Sequence, residues 1–544
     1  MIKTNKKSEI EKLKSEVERL RKELKKRKKY GLVWEEKPEE LVEMCKEKLP
    51  ILKEVKNKEI ITDKDKPVNL LIEGDNYHAL SVLNYTHAKK VDVIYIDPPY
   101  NTGNKDFRYN DKIVDIEDSY RHSKWVSFIY KRLKLARSLL KDTGLIFISI
   151  DDNELSQLKL LCDNEIFGEN NFLACITWRQ LHTVKNSARY FSKSTEYILA
   201  YARNINCIEK LRQPADKSED YKLDDKDRKG PYKLDPLSAR NKNIEYEFFF
   251  KKWNLRWKAP IGSYPRYSKE TLKKMYEDNE IVYKEGWKEP KAKRYLYKVQ
   301  EGVPPSTFWD GGEVGFNSNA TSELANILSR DAFLSPKPKS LIRRCLEIAV
   351  SKNKNSVVLD FMAGSGTTGH AVLELNKDDG GNRRFILCTD NENNICSDVC
   401  YPRVKKVIEG YKNTSGEKIS GLSGNLKYFK TDFVDAEPTD RNKIKLTEQA
   451  TEMLCVKEGT FEPVIDNKQF KIFKNSNHYT GIIWNQSVIP VFKKAIKDIK
   501  GKFSVYVFSL GDETFDDEFR DIKQKVQLSP IPEAILRVYR RIFK

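Results

Sequence analysis

Seven short apolar runs limit what this chain can fold into more than any other feature. NLLIEG, VDVIYID, GLIFISID, FLACITW and EYILAYA lie between Asn69 and residue 205, and SVVLDF and RFILCTD follow residue 355. Each is strand-length and apolar at consecutive positions, the pattern of a strand covered on both faces. Helical stretches separate them. Strands alternating with helices predict a doubly wound α/β domain around a largely parallel sheet. At 544 residues the chain is longer than one such sheet needs, so two to four domains are expected.

Charge sorts the remainder. Lys and Arg number 99 against 80 Asp and Glu, a formal surplus of +19, which fits either a polyanionic partner or a lysine-rich composition. Between Lys3 and Lys29 the surplus is +8, around a heptad seam of Ile10, Leu13, Val17, Leu20 and Leu24. That spacing predicts a basic amphipathic helix, suited to pairing with another helix or to lying on its own domain. A second surplus of +8 lies between Lys251 and Lys298, interleaved with Trp253, Trp257, Tyr264, Tyr267, Tyr276, Tyr283, Trp287, Tyr295 and Tyr297. Cations for phosphates and rings for sugars and bases make this stretch a candidate nucleic-acid surface, although protein interfaces favour the same residues. No apolar run is long enough to cross a bilayer and no secretion signal opens the sequence, so a soluble, cytoplasmic protein is expected. The nine cysteines form no C-x-x-C pair and predict reduced thiols without a metal.

Two motifs carry chemistry. VDVIYI runs into Asp97-Pro98-Pro99-Tyr100 at the carboxyl end of a strand, where open α/β sheets bind ligands. The prolines remove two N–H donors and stiffen the turn. Carbonyls and the Asp97 carboxylate are left to accept hydrogen bonds from an amino group beside the Tyr100 ring. The second motif, Asp360-Phe361-Met362-Ala363-Gly364-Ser365-Gly366-Thr367-Thr368-Gly369, links SVVL to a helical run. Its glycines let backbone approach a ligand at a helix N-terminus, but the lysine of a phosphate loop is missing, which favours a nucleoside without phosphates. Asp390 and Glu392, after RFILCTD, stand where an acid can bind ribose hydroxyls.

Together, DPPY and DFMAGSGTTG resemble the S-adenosylmethionine-dependent DNA amino-methyltransferases, and their order resembles the β-class. KYGLVWEEKPE, NLLIEGDNYHAL, DPPYNTGNKDFRYND, SKWVSFIYKRLKLARSLL and GLIFISIDDNE are similar to modification subunits of type III restriction-modification systems, over residues 29 to 200 and 330 to 405. The resemblance implies adenine N6 as the target, S-adenosylmethionine as cofactor, double-stranded DNA as substrate, a homodimer, and a helicase-nuclease restriction subunit as partner. It makes Asp97 and the Pro98 carbonyl acceptors for the amine and Tyr100 the stacking residue. It assigns Ser335 and Lys337, in FLSPKP, to the methionine end of the cofactor, where Phe333 and Leu334 replace the family's usual histidine and proline. It assigns Asp360, Phe361, Gly364, Gly366, Thr367 and Thr368 to the methionine and ribose, Asp75 to the adenine, and Asp390 or Glu392 to the ribose, with Glu392 favoured.

The corresponding organisation is an N-terminal helix and lead-in (1–60), a catalytic half (61–204), a target-recognition insert (205–330), a cofactor half (331–424) and a C-terminal α+β domain (425–544). A solitary adenine or cytosine-N4 methyltransferase and a catalytically silent DNA-binding scaffold are the alternatives.

Overall fold

The computed structural model describes residues 34–103, 106–110, 112–184, 188–213, 221–226, 229–240, 242–299, 302–476, 478–511 and 513–543. The basic helix expected over residues 3–29 lies outside them. Lys210–Pro305 forms one compact unit and the rest of the described chain another.

The larger unit is built on an eleven-stranded sheet. In chain order its strands are β1 (Lys48–Glu54), β2 (Val68–Glu73), β3 (Val91–Ile96), β4 (Leu140–Ile150), β5 (Phe172–Arg179), β6 (Thr195–Ala202), β7 (Phe308–Trp309), β8 (Val357–Asp360), β9 (Arg384–Thr389) and β10 (Asn425–Asp435), with Ile60–Ile61 added beside β10. Their spatial order is β1-β10-β2-β9-β8-β3-β4-β6-β5-β7. Neighbours from β10 to β4 are parallel, whereas β6 is antiparallel to β4 and β5. All seven apolar runs are strands of this sheet. Every residue of β3 is buried; five of the six are apolar, and the exception, Asp92, is met by Lys141 at 2.7 Å and by the Val357 N–H at 2.8 Å.

Helices α1 (Asn76–Thr86), α2 (Arg121–Leu139), α3 (Lys339–Val350), α4 (Thr367–Asp379) and α5 (Tyr401–Glu409) connect the strands. Strand β8 enters the sheet beside β3, with Val358 opposite Val93 and Leu359 opposite Ile94. From that pair the chain proceeds outward in opposite directions, to β4 on one side and to β9 on the other. The pair is therefore the switch point of the sheet, and the loops after β3 and β8 leave it side by side.

Three boundaries move. The lead-in before residue 60 contributes β1, which pairs with β10 over its whole length. Residues 425–435, assigned from sequence to a C-terminal domain, form β10 and pair in parallel with β2. The insert ends at Pro305, because β7 pairs with β5. β1 and β7 are the edge strands and β10 is next to one edge; all three segments are short or mix charged with apolar residues and so lack the continuous apolar signature.

Beyond β10 lies a five-stranded sheet (Glu462–Asp466, Phe470–Lys474, His478–Ile483, Lys502–Phe508 and Val526–Ile531) and α6 (Glu533–Ile542). Ile535, Leu536 and Tyr539 of α6 share one buried core with Leu49, Ile72 and Leu80, and the Tyr539 hydroxyl donates to the Pro50 carbonyl. The C-terminal region is thus packed onto the large sheet. Among the described residues no helix is long and apolar enough to cross a membrane.

Within Lys210–Pro305, strands Tyr232–Pro236, Lys291–Tyr295 and Ile281–Val282 form a small sheet accompanied by helix Lys269–Glu277. Leu237, Phe250, Trp257, Leu272, Ile281 and Ala292 make its core, and Tyr295 is fully buried. Part of the aromatic content expected to meet nucleic acid is therefore core, because so small a unit needs large side chains to bury enough apolar surface. Lys251, Lys252, Arg256 and Lys258 are exposed.

Candidate functional site

Asp97, Pro98, Pro99 and Tyr100 leave β3 at its carboxyl end. Trp125, fully buried on α2, donates its indole N–H to the Pro99 carbonyl at 2.7 Å and fixes the turn from behind. The Tyr100 hydroxyl lies 2.9 Å from both Asp97 Oδ1 and Glu196 Oε2. Burial, reinforced by these two carboxylates, holds the Tyr100 hydroxyl well above its usual range. Glu196 is the second residue of β6 and was not singled out from the sequence, where it is one acid at the edge of an apolar run.

Lys337, expected at the methionine end of the cofactor, stands at the acceptor tetrapeptide. Its Nζ lies 2.9 Å from Asp97 Oδ1, 3.0 Å from Oδ2 and 3.3 Å from Glu196 Oε2, and 4.8 Å from the centre of the Tyr100 ring. Burial alone would lower its pKa; Asp97 and Glu196 outweigh that and raise it. The side chain is held there because a buried ammonium needs an opposite charge, which Asp97 presents through both oxygens, with Glu196 Oε2 as a further acceptor. Ser335 is exposed, with a left-handed φ of 55°.

One residue past the tetrapeptide, Asn101 is buried with φ 57°. Its amide donates to Glu154 Oε1 at 2.5 Å, an oxygen that His122 Nδ1 also meets at 2.7 Å. Burial pushes the Glu154 carboxyl up to about 8, and Glu154 Oε2 and Asn101 Oδ1 are both buried without a hydrogen-bond partner. Because the folded-state value lies above the ordinary 4.5, stability attached to the protonated carboxyl is complete below about 4.5 and lost as pH rises to about 8. Glu154→Gln stays neutral throughout, so it should melt ever higher than wild type as pH rises from 5 to 9, by on the order of 4 kcal/mol at most. A gap in melting temperature that ignores pH would refute this.

The glycine motif follows β8. Asp360 is buried, accepting from the Met362 N–H at 3.0 Å and the Thr368 hydroxyl at 2.5 Å, and burial raises it to about 7. Gly364 and Gly366 have φ of 48° and 77°, which L side chains rarely adopt. A Cβ on Gly364 would stand 3.0 Å from the Phe333 ring, and one on Gly366 would stand 3.1 Å from Cys400 Sγ. The hydroxyls of Thr367 and Thr368 and the ring of Phe361, expected to cradle a ligand, are turned into the protein. Thr367 Oγ1 accepts from Arg403 at 2.6 Å, Thr368 bonds Asp360, and Phe361 is fully buried in the core. What the loop offers a ligand is its backbone and the first N–H groups of α4. Arg403, also missed from sequence, is a buried guanidinium under this loop, lowered by desolvation to about 10.

The acids at the ends of β2 and β9 are neighbours, since the Gly74 N–H donates to the Thr389 carbonyl at 3.0 Å. Asp75 caps α1, accepting from the Tyr77 N–H at 2.7 Å, and its other oxygen lies 3.3 Å from Arg132. Asp390 is exposed and accepts from the Glu392 N–H at 3.0 Å. Glu392 is paired with Arg108 at 2.6 Å, both about half exposed. Arg132 and Arg108 offset the charge of Asp75 and Glu392, so what these carboxylates add beside the glycine loop is hydrogen-bond acceptors. Acceptors at that place fit the hydroxyls of a nucleoside.

Comparisons agree with this chemistry. The family model for DNA methylases of the N6/N4 type matches residues 91–399. The Mod subunit of the type III restriction-modification enzyme StyLTI of Salmonella typhimurium is 34% identical over 392 residues, 66% of this chain and 57% of that protein. The EcoPI Mod subunit of Escherichia phage P1 is 35% identical over 384 residues, 60% of this chain and 58% of that protein. The type II methyltransferase M.KpnI of Klebsiella pneumoniae is 32% identical over 384 residues, 66% of this chain and 88% of that protein. The chain thus spans somewhat more than half the length of the type III relatives it matches.

Proposed function

Because the chain belongs to the DNA methylase family of N6/N4 methyltransferases, we propose that it methylates the N6 amine of adenine at a specific site in double-stranded DNA, as the modification and recognition subunit of a type III restriction-modification system. One observation carries the reading: β8 and β3 are adjacent, so the acceptor tetrapeptide and the glycine loop open into one crevice. S-adenosylmethionine, when bound, supplies an electrophilic methyl group. The loop backbone after β8 and the acids Asp75, Asp390 and Glu392 are the groups that would hold it.

An exocyclic amine is a weak nucleophile because its lone pair is delocalised into the ring. Asp97 and the Pro98 carbonyl accept its two hydrogens and favour a pyramidal nitrogen with its lone pair free. Asp97 then takes the proton that the nitrogen must lose. The Tyr100 ring stacks on a base turned out of the duplex, offsetting part of the few kcal/mol that unstacking costs. The chain's contribution is positioning and electrostatics. Transfer of labelled methyl to unmethylated DNA, with sequencing of the modified positions, tests the reading; label in no DNA would overturn it.

The exposed lysines of the insert are assigned to DNA phosphates. Reversing Lys251, Lys252 and Lys258 to glutamate should weaken DNA binding and reduce the slope of log affinity against log salt by about 2 to 3. An unchanged slope would place the duplex elsewhere. Coverage of 88% of a type II methyltransferase, against 57% of the StyLTI Mod subunit, favours as a second reading a solitary adenine or cytosine-N4 methyltransferase. Co-purification of a helicase-nuclease chain from the native host separates the two, and the dimer is tested by its mass in solution.

A further inference from the structure

Glu196 is the buried carboxylate that the transfer chemistry above does not use. Its side chain is 10% exposed, against 28% for Asp97, and its Oε2 meets the Tyr100 hydroxyl at 2.9 Å and Lys337 Nζ at 3.3 Å. The same hydroxyl is 2.9 Å from Asp97 Oδ1. A tyrosine hydroxyl has a single proton and can donate to only one of two ionised carboxylates. The other contact would set two electron-rich oxygens against each other in a dry site, a costly arrangement. Both contacts become hydrogen bonds once one carboxyl keeps its proton.

We infer that Glu196 is a positioning residue of the transfer site: it holds that proton, donates it to the Tyr100 oxygen, and so directs the Tyr100 hydroxyl at Asp97. This rests on the methyl-transfer reading and adds a residue to it. The choice between the two carboxyls follows from depth, since Asp97 is the more exposed and touches Lys337 through both oxygens. Burial also raises the Glu196 carboxyl, opposed by Lys337 and by the Tyr100 hydrogen bond and reinforced by Asp97, and the net shift is upward. The titratable groups facing Glu196 are Lys337, Asp97 and Tyr100; its cross-strand neighbour, Trp178, carries no charge. With Glu196 neutral, Lys337 and Asp97 balance each other, and the Tyr100 ring is held at a fixed angle for a base.

The sign of the pH dependence follows. The active form carries the proton, so turnover falls as pH rises through the raised Glu196 value. Methyl transfer to unmethylated genomic DNA is measured for wild type, Glu196→Gln and Glu196→Ala over the whole pH range in which all three stay folded. Glu196→Ala should lower kcat about 100-fold with the cofactor KM within about 3-fold. Glu196→Gln keeps a neutral donor and should restore kcat to within about 5-fold of wild type while losing the alkaline fall. A Gln variant as impaired as Ala, an Ala variant like wild type, or an alkaline fall that survives in Gln would each overturn the assignment. Infrared spectra of the intact protein read the same point without turnover: Glu154 and Asp360 contribute protonated-acid carbonyl bands to both proteins, so the difference between wild type and Glu196→Gln should show one such band lost in the variant. A difference spectrum without that loss would overturn the assignment even if methyl transfer itself is never observed, and that separates this inference from the proposed function.

Discussion

Asp97→Ala should reduce methyl transfer by about 1,000-fold or more while the protein still binds S-adenosylmethionine. Asp97 supplies the acceptor that turns the amine's lone pair outward and the base that takes its proton, and no neighbour replaces both. Glu196 is the nearest other carboxyl, but Tyr100 and Lys337 stand between it and Asp97. Lys337 makes the loss worse, because without Asp97 its ammonium presents donors to an amine that also donates. Asp97→Asn is the sharper variant. It preserves shape, yet its NH2 must face either the ammonium or the amine, so it should fall within about 10-fold of Ala. Cofactor binding should survive, since the glycine loop hangs on β8, Asp360 and Arg403 rather than on Asp97. Incorporation of labelled methyl, with calorimetry of cofactor binding on the same preparations, makes the test. Turnover within 10-fold of wild type would remove Asp97 from the chemistry.

Legibility followed burial and contiguity. The central strands were readable because a strand covered on both faces is apolar at nearly every position, as VDVIYI is apart from Asp92, whose buried carboxylate is met by Lys141 and the Val357 N–H. β1 and β10 were not, since KLPILKE and NLKYFKTDFVD lie at or near an edge and mix charge with apolar residues. The tetrapeptide and the glycine loop were readable because each chemistry is local to a few consecutive residues. The contacts of Lys337 with Asp97, and the places of Glu196 and Arg403, were not legible for one reason: their partners stand far away in sequence, 240 residues for Lys337 and Asp97, 96 for Glu196 and Tyr100, and 36 for Arg403 and Thr367. The side chains of Phe361, Thr367 and Thr368 show the converse: the motif gave the loop's place, while the inward turn of those groups depends on Asp360, Arg403 and the core.

The largest stability loss should come from Arg132→Met. Arg132 is fully buried on α2 and grips Glu39 with two parallel bonds, of 3.0 and 2.6 Å. It also reaches Asp75 at 3.3 Å and the Phe128 carbonyl at 3.1 Å, and its Nε donates to Asn76. Replacing it leaves Glu39, which is 3% exposed, as a buried carboxylate without its cation, at a cost of about 3–5 kcal/mol. Lysine should not rescue it, because a point charge cannot make the paired geometry and the bonds to Asp75 and Asn76 together. Glu39→Gln combined with Arg132→Met should recover more than half of the loss, since removing both charges removes the unpaired one. Asp75 caps α1 at the end of β2, so the single variant should also weaken cofactor binding, whereas a fault confined to the core would not. Denaturant unfolding of the three proteins, with cofactor titrations below the transition, measures both effects. A single variant within about 1 kcal/mol of wild type would show that Glu39 finds water or a proton instead, and that the strings around Glu39 and along α2 are tied by something other than this ion pair.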